Sequence, residues 1–176
     1  MRIGKNWQAI KIILEFDKTG KKLLMLMTER CMIPIAKSPQ EYQAYRISSD
    51  SSNKLAIAFD PLRDDVSFTC CVEIFDVGGK TPPNRHMYAT EMFFVLRGEG
   101  RATCDGKTIA IREGDSLLVR PTGTHTLENT GESRLYTLTI MVPNEEFAEL
   151  IRSGTPTELD EEDLAVLQGK ASPVLC

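Results

Sequence analysis

The chain has 176 residues and a mass of 19.7 kDa, with 41% hydrophobic and 26% charged residues and twelve Gly and nine Pro, which is the usage of an ordinary globular domain with a small appendage. Disordered and collagen-like chains are excluded by that composition. A net charge of −4 and a pI of about 5.3 give no electrostatic reason for phosphate-backbone attraction, and no apolar run approaches the roughly 20 residues of a membrane helix, so neither nucleic acid nor membrane is expected as a partner.

In chain order, Ala9 to Phe16 and Leu23 to Met27 are apolar runs around Asp17-Lys18-Thr19-Gly20, which predicts two strands and a turn in an N-terminal extension, residues 1–31. An edge strand at Ala9 to Phe16 would invite pairing with a second chain. Met32 is a candidate second start. The opening residues are broken by charge and lack a small-residue cleavage site, and the five cysteines are odd in number without a Cys-x-x-Cys spacing, so a reducing cytoplasm is the expected location. Residues from Ser38 to Asn53 are polar, with an exposed loop expected from Ser48.

From Val66 to Val142 short runs of Val, Ile, Leu, Phe and Thr alternate with turn signals, including Val77-Gly78-Gly79, Arg97-Gly98-Glu99-Gly100 and Glu113-Gly114-Asp115. Many short strands at near-regular spacing predict an antiparallel all-β sandwich or barrel, placed at residues 32–143. Asp105-Gly106 is the sharpest hairpin signal, because that dipeptide tolerates the positive φ of a tight turn. Residues 144–176 read as a C-terminal helical tail. Asn144 can cap one helix with Glu145 and Glu146 in its first turn, and Asp160 can precede a second with Glu161, Glu162 and Asp163 at its positive end, a solvated acidic start.

The chain has two histidines, His86 and His125, both inside the strand-rich region. Around the first stand Gly78, Asn84, His86, Glu91 and Gly98; around the second stand Gly114, Pro121, Gly123, His125 and Asn129. This arrangement resembles the cupin family. That family's first motif runs Gly, five residues, His, one residue, His, three or four residues, Glu, six residues, Gly, and here every interval fits with Asn84 in the first His position. In the second motif His125 and Asn129 stand at the expected distances from Gly114, while Pro121 and Gly123 are displaced by one and Arg120 occupies the Pro position.

The resemblance implies an all-β double-stranded β-helix (jelly-roll) barrel with short C-terminal helices, whose mouth holds one divalent metal on His86, Glu91 and His125, with Asn84 as a fourth candidate. Two imidazoles and one carboxylate form a facial triad suited to Fe(II), with Mn, Ni, Co and Zn also open. If both histidines bind metal, proton transfer falls to another group. Alternation places Asn84, His86 and Tyr88 on one strand face, which makes Tyr88 the catalytic candidate. Arg120 and Tyr136 are candidate substrate-binding residues, Arg120 by a forked hydrogen bond to an anion. Phe93, Phe94, Met92 and Leu96 read as core, and Cys70, Cys71 and Cys104 as packed small residues. No glycine-rich phosphate loop or dinucleotide fingerprint implies an organic cofactor.

Two functions follow as expectations. One is a metal-dependent enzyme, a dioxygenase, isomerase or lyase acting on a small organic acid or sugar derivative. The other is a non-enzymatic module that binds or senses a small molecule or metal. The family resemblance further implies a homodimer.

Overall fold

Side-chain alternation along the strands decides which residues meet in this protein, and it is clearest in the middle of the chain. A computed structural model describes residues 9–16, 22–29, 34–48 and 52–170. It divides the chain into two units, residues 1–36 and 37–176. In the first, β1 (Ala9–Phe16) pairs antiparallel with β2 (Lys22–Glu29), Ala9 opposite Glu29 and Phe16 opposite Lys22. Met32 and the turn at residues 17–20 lie outside the described residues.

The second unit contains β3 (Gln43–Arg46), β4 (Asn53–Phe59), a helical turn α1 (Pro61–Asp64), β5 (Thr69–Phe75), β6 (Thr90–Arg97), β7 (Glu99–Cys104), β8 (Lys107–Arg112), β9 (Ser116–Val119), β10 (His125–Asn129) and β11 (Leu135–Val142), then α2 (Phe147–Arg152), β12 (Thr155–Thr157) and α3 (Glu161–Leu167). Seven strands form one antiparallel sheet in the order β12-β3-β4-β5-β11-β6-β9, and three form a second in the order β10-β7-β8. This is the jelly-roll architecture. Phe75, Phe93 and Val95 from the large sheet meet Ala102, Ile111 and Leu127 from the small one in a single buried cluster. At roughly 1.5–3 kcal/mol for each large apolar side chain removed from water, that cluster is a principal stabilising contact between the sheets.

The β7–β8 hairpin turns at Asp105 (φ 46°) and Gly106 (φ 77°), as the positive-φ dipeptide predicts. On β5, Cys71, Glu73 and Phe75 face inward, while Val72 and Ile74 pack outward with Tyr136, Leu159 and Val166. The second face of the large sheet is therefore covered by α3.

Both C-terminal helices differ from their sequence reading in one respect. Glu145 and Glu146 precede α2 rather than opening it, with left-handed φ values of 45° and 64°, and Asn144 Oδ1 accepts the Ala148 N–H at 2.9 Å. The reason is tertiary: the Glu145 carboxylate accepts the backbone N–H groups of Met87, Tyr88 and Ala89 at 2.6, 2.9 and 2.6 Å. For α3, Asp160 caps the helix as expected, and Gly169 (φ 66°) follows its end. Its acidic start is only partly solvated. Asp163 is fully buried, pairs with buried Lys54, and accepts from Tyr136 Oη at 3.1 Å and Arg134 Nη1 at 3.1 Å. Between the helices, β12 pairs with β3, so residues 144–170 are built into the domain through the large sheet as well as through helices.

Candidate metal centre

Three elements bring the candidate ligands together. Inward alternation on β6 buries Glu91, Phe93 and Val95 and leaves Met92, Phe94 and Leu96 more exposed. His125 opens β10 and faces inward with Leu127 and Asn129. The segment before His86 runs antiparallel along β10: Asn129 N–H donates to Gly79 O at 2.8 Å, Thr81 N–H to Leu127 O at 2.9 Å, and Asn84 and His125 exchange backbone bonds at 3.1 and 2.9 Å. That pairing lays His86 beside His125, with ring centroids 5.5 Å apart. A further bond from Thr122 N–H to His86 O at 2.7 Å fixes the loop.

The result is compact. Glu91 Oε2 lies 3.2 Å from His86 Nε2 and 2.8 Å from His125 Nε2, and one ligand atom from each of the three residues falls within 4.8 Å of the others. His125 Nδ1 stands 3.1 Å from the Gly123 carbonyl, so its N–H donates there and Nε2 is directed at the cluster. Burial disfavours the charged form of His125, but the Glu91 carboxylate and the Gly123 carbonyl outweigh it and raise the imidazole above its ordinary value. Burial likewise pushes Glu91 up, and hydrogen bonds from His125 and His86 bring it below the ordinary carboxylate range. A proton on Nε2 thus occupies the place a cation would take.

Asn84 adds an independent observation. Its Oδ1 is buried with no hydrogen-bond partner, an acceptor of the kind that coordinates or holds water on a metal, while its Nδ2 reaches Pro82 O at 3.4 Å. The donor set, two imidazoles, one carboxylate and one orphaned amide oxygen, fits a divalent ion.

The cluster opens on a cavity of about 350 Å³, whose wall includes Leu55, Phe93, Leu127 and Phe147. That volume lies at the lower end of small-molecule sites. Asn84, His86, Glu91 and His125 all line it, and three other sequence candidates do not. Tyr88 is 78% exposed and outside the lining, because residues 85–89 form a loop rather than a strand, so alternation does not carry past Asn84. Tyr136 is fully buried on the opposite face of β11, its hydroxyl on Asp163; Leu135 packs inward and Tyr136 has the other parity. Arg120 is exposed in the turn after β9.

Two residues that the sequence did not single out face the cavity. Glu73 and Asn53 are 5% and 4% exposed, and Asn53 Nδ2 donates to Glu73 Oε1 at 3.2 Å. Burial, and then the charge of Glu91, push the Glu73 carboxyl up to about 8 against the pull of the Asn53 bond. The available signal was a lone carboxylate in the otherwise uncharged strand Thr69–Phe75.

A jelly-roll barrel carrying a His/Glu/His cluster at the wall of a cavity is compatible with metal binding. Residues 71–141 match the family model of the cupin domain, and over that stretch the chain is similar to the cupin superfamily. An uncharacterized protein of Methanocaldococcus jannaschii is 31% identical over 70 residues, which are 40% of this chain and 56% of that protein; the chain therefore spans little more than half the length of this relative. Among solved structures, a predicted oxalate decarboxylase from Thermotoga maritima is similar with a TM-score of 0.55 and 21% identity, over 62% of this chain and 99% of that one. The cupin domain of Schizosaccharomyces pombe Cnp3 gives 0.53 and 13% over 82% and 96%, and an RmlC-like cupin from Shewanella frigidimarina gives 0.53 and 18% over 64% and 93%. At these identities the likeness concerns the fold.

Proposed function

We propose that this chain binds one divalent metal ion on His86, Glu91 and His125, with Asn84 Oδ1 as a fourth contact, and acts as a metal-dependent enzyme on a small oxygenated molecule. The observation that carries the reading is the convergence of three ligand atoms within 4.8 Å at the wall of a cavity of about 350 Å³. The facial arrangement favours Fe(II). A bound ion would supply Lewis acidity, polarising a carbonyl or lowering the pKa of a hydroxyl.

The chain's own residues do the rest. Gly123 O orients the His125 ring, the Asn84–His125 backbone pair holds the His86 loop, and Leu55, Phe93 and Leu127 exclude water from one side of the ligand. The barrel's apolar lining also suits a binding module without turnover. Metal analysis of the purified protein against a His86→Ala/His125→Ala double variant tests the metal site, and equal metal content in the two refutes it. Turnover of a panel of diols, keto acids and sugar acids supports the enzyme. Ligand-dependent thermal stabilisation without turnover supports the binding module.

A further inference from the structure

Among the described residues, five titratable side chains line the cavity: Glu73, Lys80, His86, Glu91 and His125. On the reading above, three of these are engaged with one another and with the ion. Lys80 is exposed and lies along Glu128 of β10. Glu73 is left. Its inward neighbours on β5, Cys71 and Phe75, are apolar and fully buried, and Asn53 supplies its hydrogen bond through one oxygen only. A buried carboxyl without a cationic partner is costly to keep, and one that fronts a cavity beside a cluster of metal-ligating groups is placed for chemistry rather than for packing.

We propose that Glu73, braced by Asn53, is the proton-exchanging group of this cavity, and that the molecule it faces is a small α-hydroxycarbonyl compound seated between it and the His86–Glu91–His125 cluster. This rests on the metal-site reading of the previous section. In the metal-free protein burial and the Glu91 charge bring the carboxyl to about 8, and a cation on the cluster offsets the Glu91 charge and favours the carboxylate that takes the proton. In the step, the C–H bond of the carbon beside the carbonyl breaks and its proton goes to Glu73. The freed electron pair forms a C=C bond, and the carbonyl π pair moves onto oxygen. Returning the proton to the same carbon gives exchange. Returning it to the neighbouring carbon, with the hydroxyl proton passing between the two oxygens, gives 1,2-isomerisation. No oxidant or reductant is consumed.

The test uses the full chain reconstituted with Fe(II) and, separately, with Zn(II), incubated in deuterium oxide with dihydroxyacetone, erythrulose or xylulose and followed by NMR of the recovered probe. Metal content is measured first; a wild-type chain that holds no metal sinks the metal reading, and with it this inference. With metal bound, deuterium is expected at the carbon beside the carbonyl in at least one probe. Glu73→Gln is expected to slow this by about a hundredfold or more with metal content unchanged. Glu73→Asp, which keeps the acid, is expected to retain part of the rate. A second readout is independent of activity: in chelator-treated protein labelled with ¹³C at glutamate carboxyls, one signal titrates near pH 8 and disappears in Glu73→Gln. Wild-type protein with bound metal that exchanges none of the probes, a Glu73→Gln rate within threefold of wild type, or the absence of that signal overturns the proposal.

Discussion

Replacing Glu73 by Gln should make the protein's stability respond differently to pH, by an amount that follows from the burial of one carboxyl. In the unfolded chain this group titrates near 4.5, and in the folded protein near 8. Below about 4.5 both states carry the proton, and the group costs nothing in linkage terms. As pH rises from there toward 8 the unfolded state releases its proton while the folded state keeps it, so wild-type stability falls by about 1.4 kcal/mol for each pH unit and then levels off. Between pH 5 and pH 8 this amounts to on the order of 4 kcal/mol, a large fraction of a typical domain's total stability. Gln is neutral throughout, has nearly the same shape, and can still accept the Asn53 N–H through its amide oxygen. The measurement is urea unfolding of chelator-treated wild type and Glu73→Gln at pH 5, 6.5 and 8. Subtracting one protein from the other cancels the opposite contribution of Glu91 and the parallel one of His125. The variant should gain on wild type steadily with pH. A difference that stays constant from pH 5 to pH 8 would refute the argument that Glu73 is held protonated by burial.

Other consequences concern the site and its supports. Metal affinity should weaken as pH falls through the raised His125 value, because the proton and the ion compete for Nε2; calorimetric titration with Zn(II) between pH 5.5 and 8 checks this. Glu145→Ala frees the N–H groups of residues 87–89 and should loosen the loop that carries His86, lowering metal affinity about 10- to 100-fold, and unchanged Zn(II) binding would contradict it. Asp163→Ala leaves the buried Lys54 ammonium with only the longer contact to the half-exposed Asp160 carboxylate at 3.4 Å and should cost roughly 3 kcal/mol of unfolding free energy, read by urea denaturation. Gly100→Ala puts a methyl group against the Glu128 carbonyl across the β7–β10 pair and should lower the melting temperature by several degrees, about 2 kcal/mol or more.

Much of this protein was determined by short-range sequence pattern. Alternating apolar residues and the Asp105-Gly106 turn encode the hairpins, Asp160 and Gly169 bound the last helix, and the spacing around His86, Glu91 and His125 marked the residues that meet. These features are legible because each depends on backbone conformation or side-chain parity within a few residues. Strand pairing decided the rest. Tyr88 and Tyr136 were mislocated because parity runs only as far as a strand does and because the inward face of β11 is set by its register with β5 and β6. Glu145 left its helix because partners 56 to 58 residues away offered three N–H donors. Glu73 became a cavity residue only when β4 brought Asn53 against it and the barrel removed both from water, and no local pattern encodes the proximity of Glu91 that, together with that burial, raises its proton affinity.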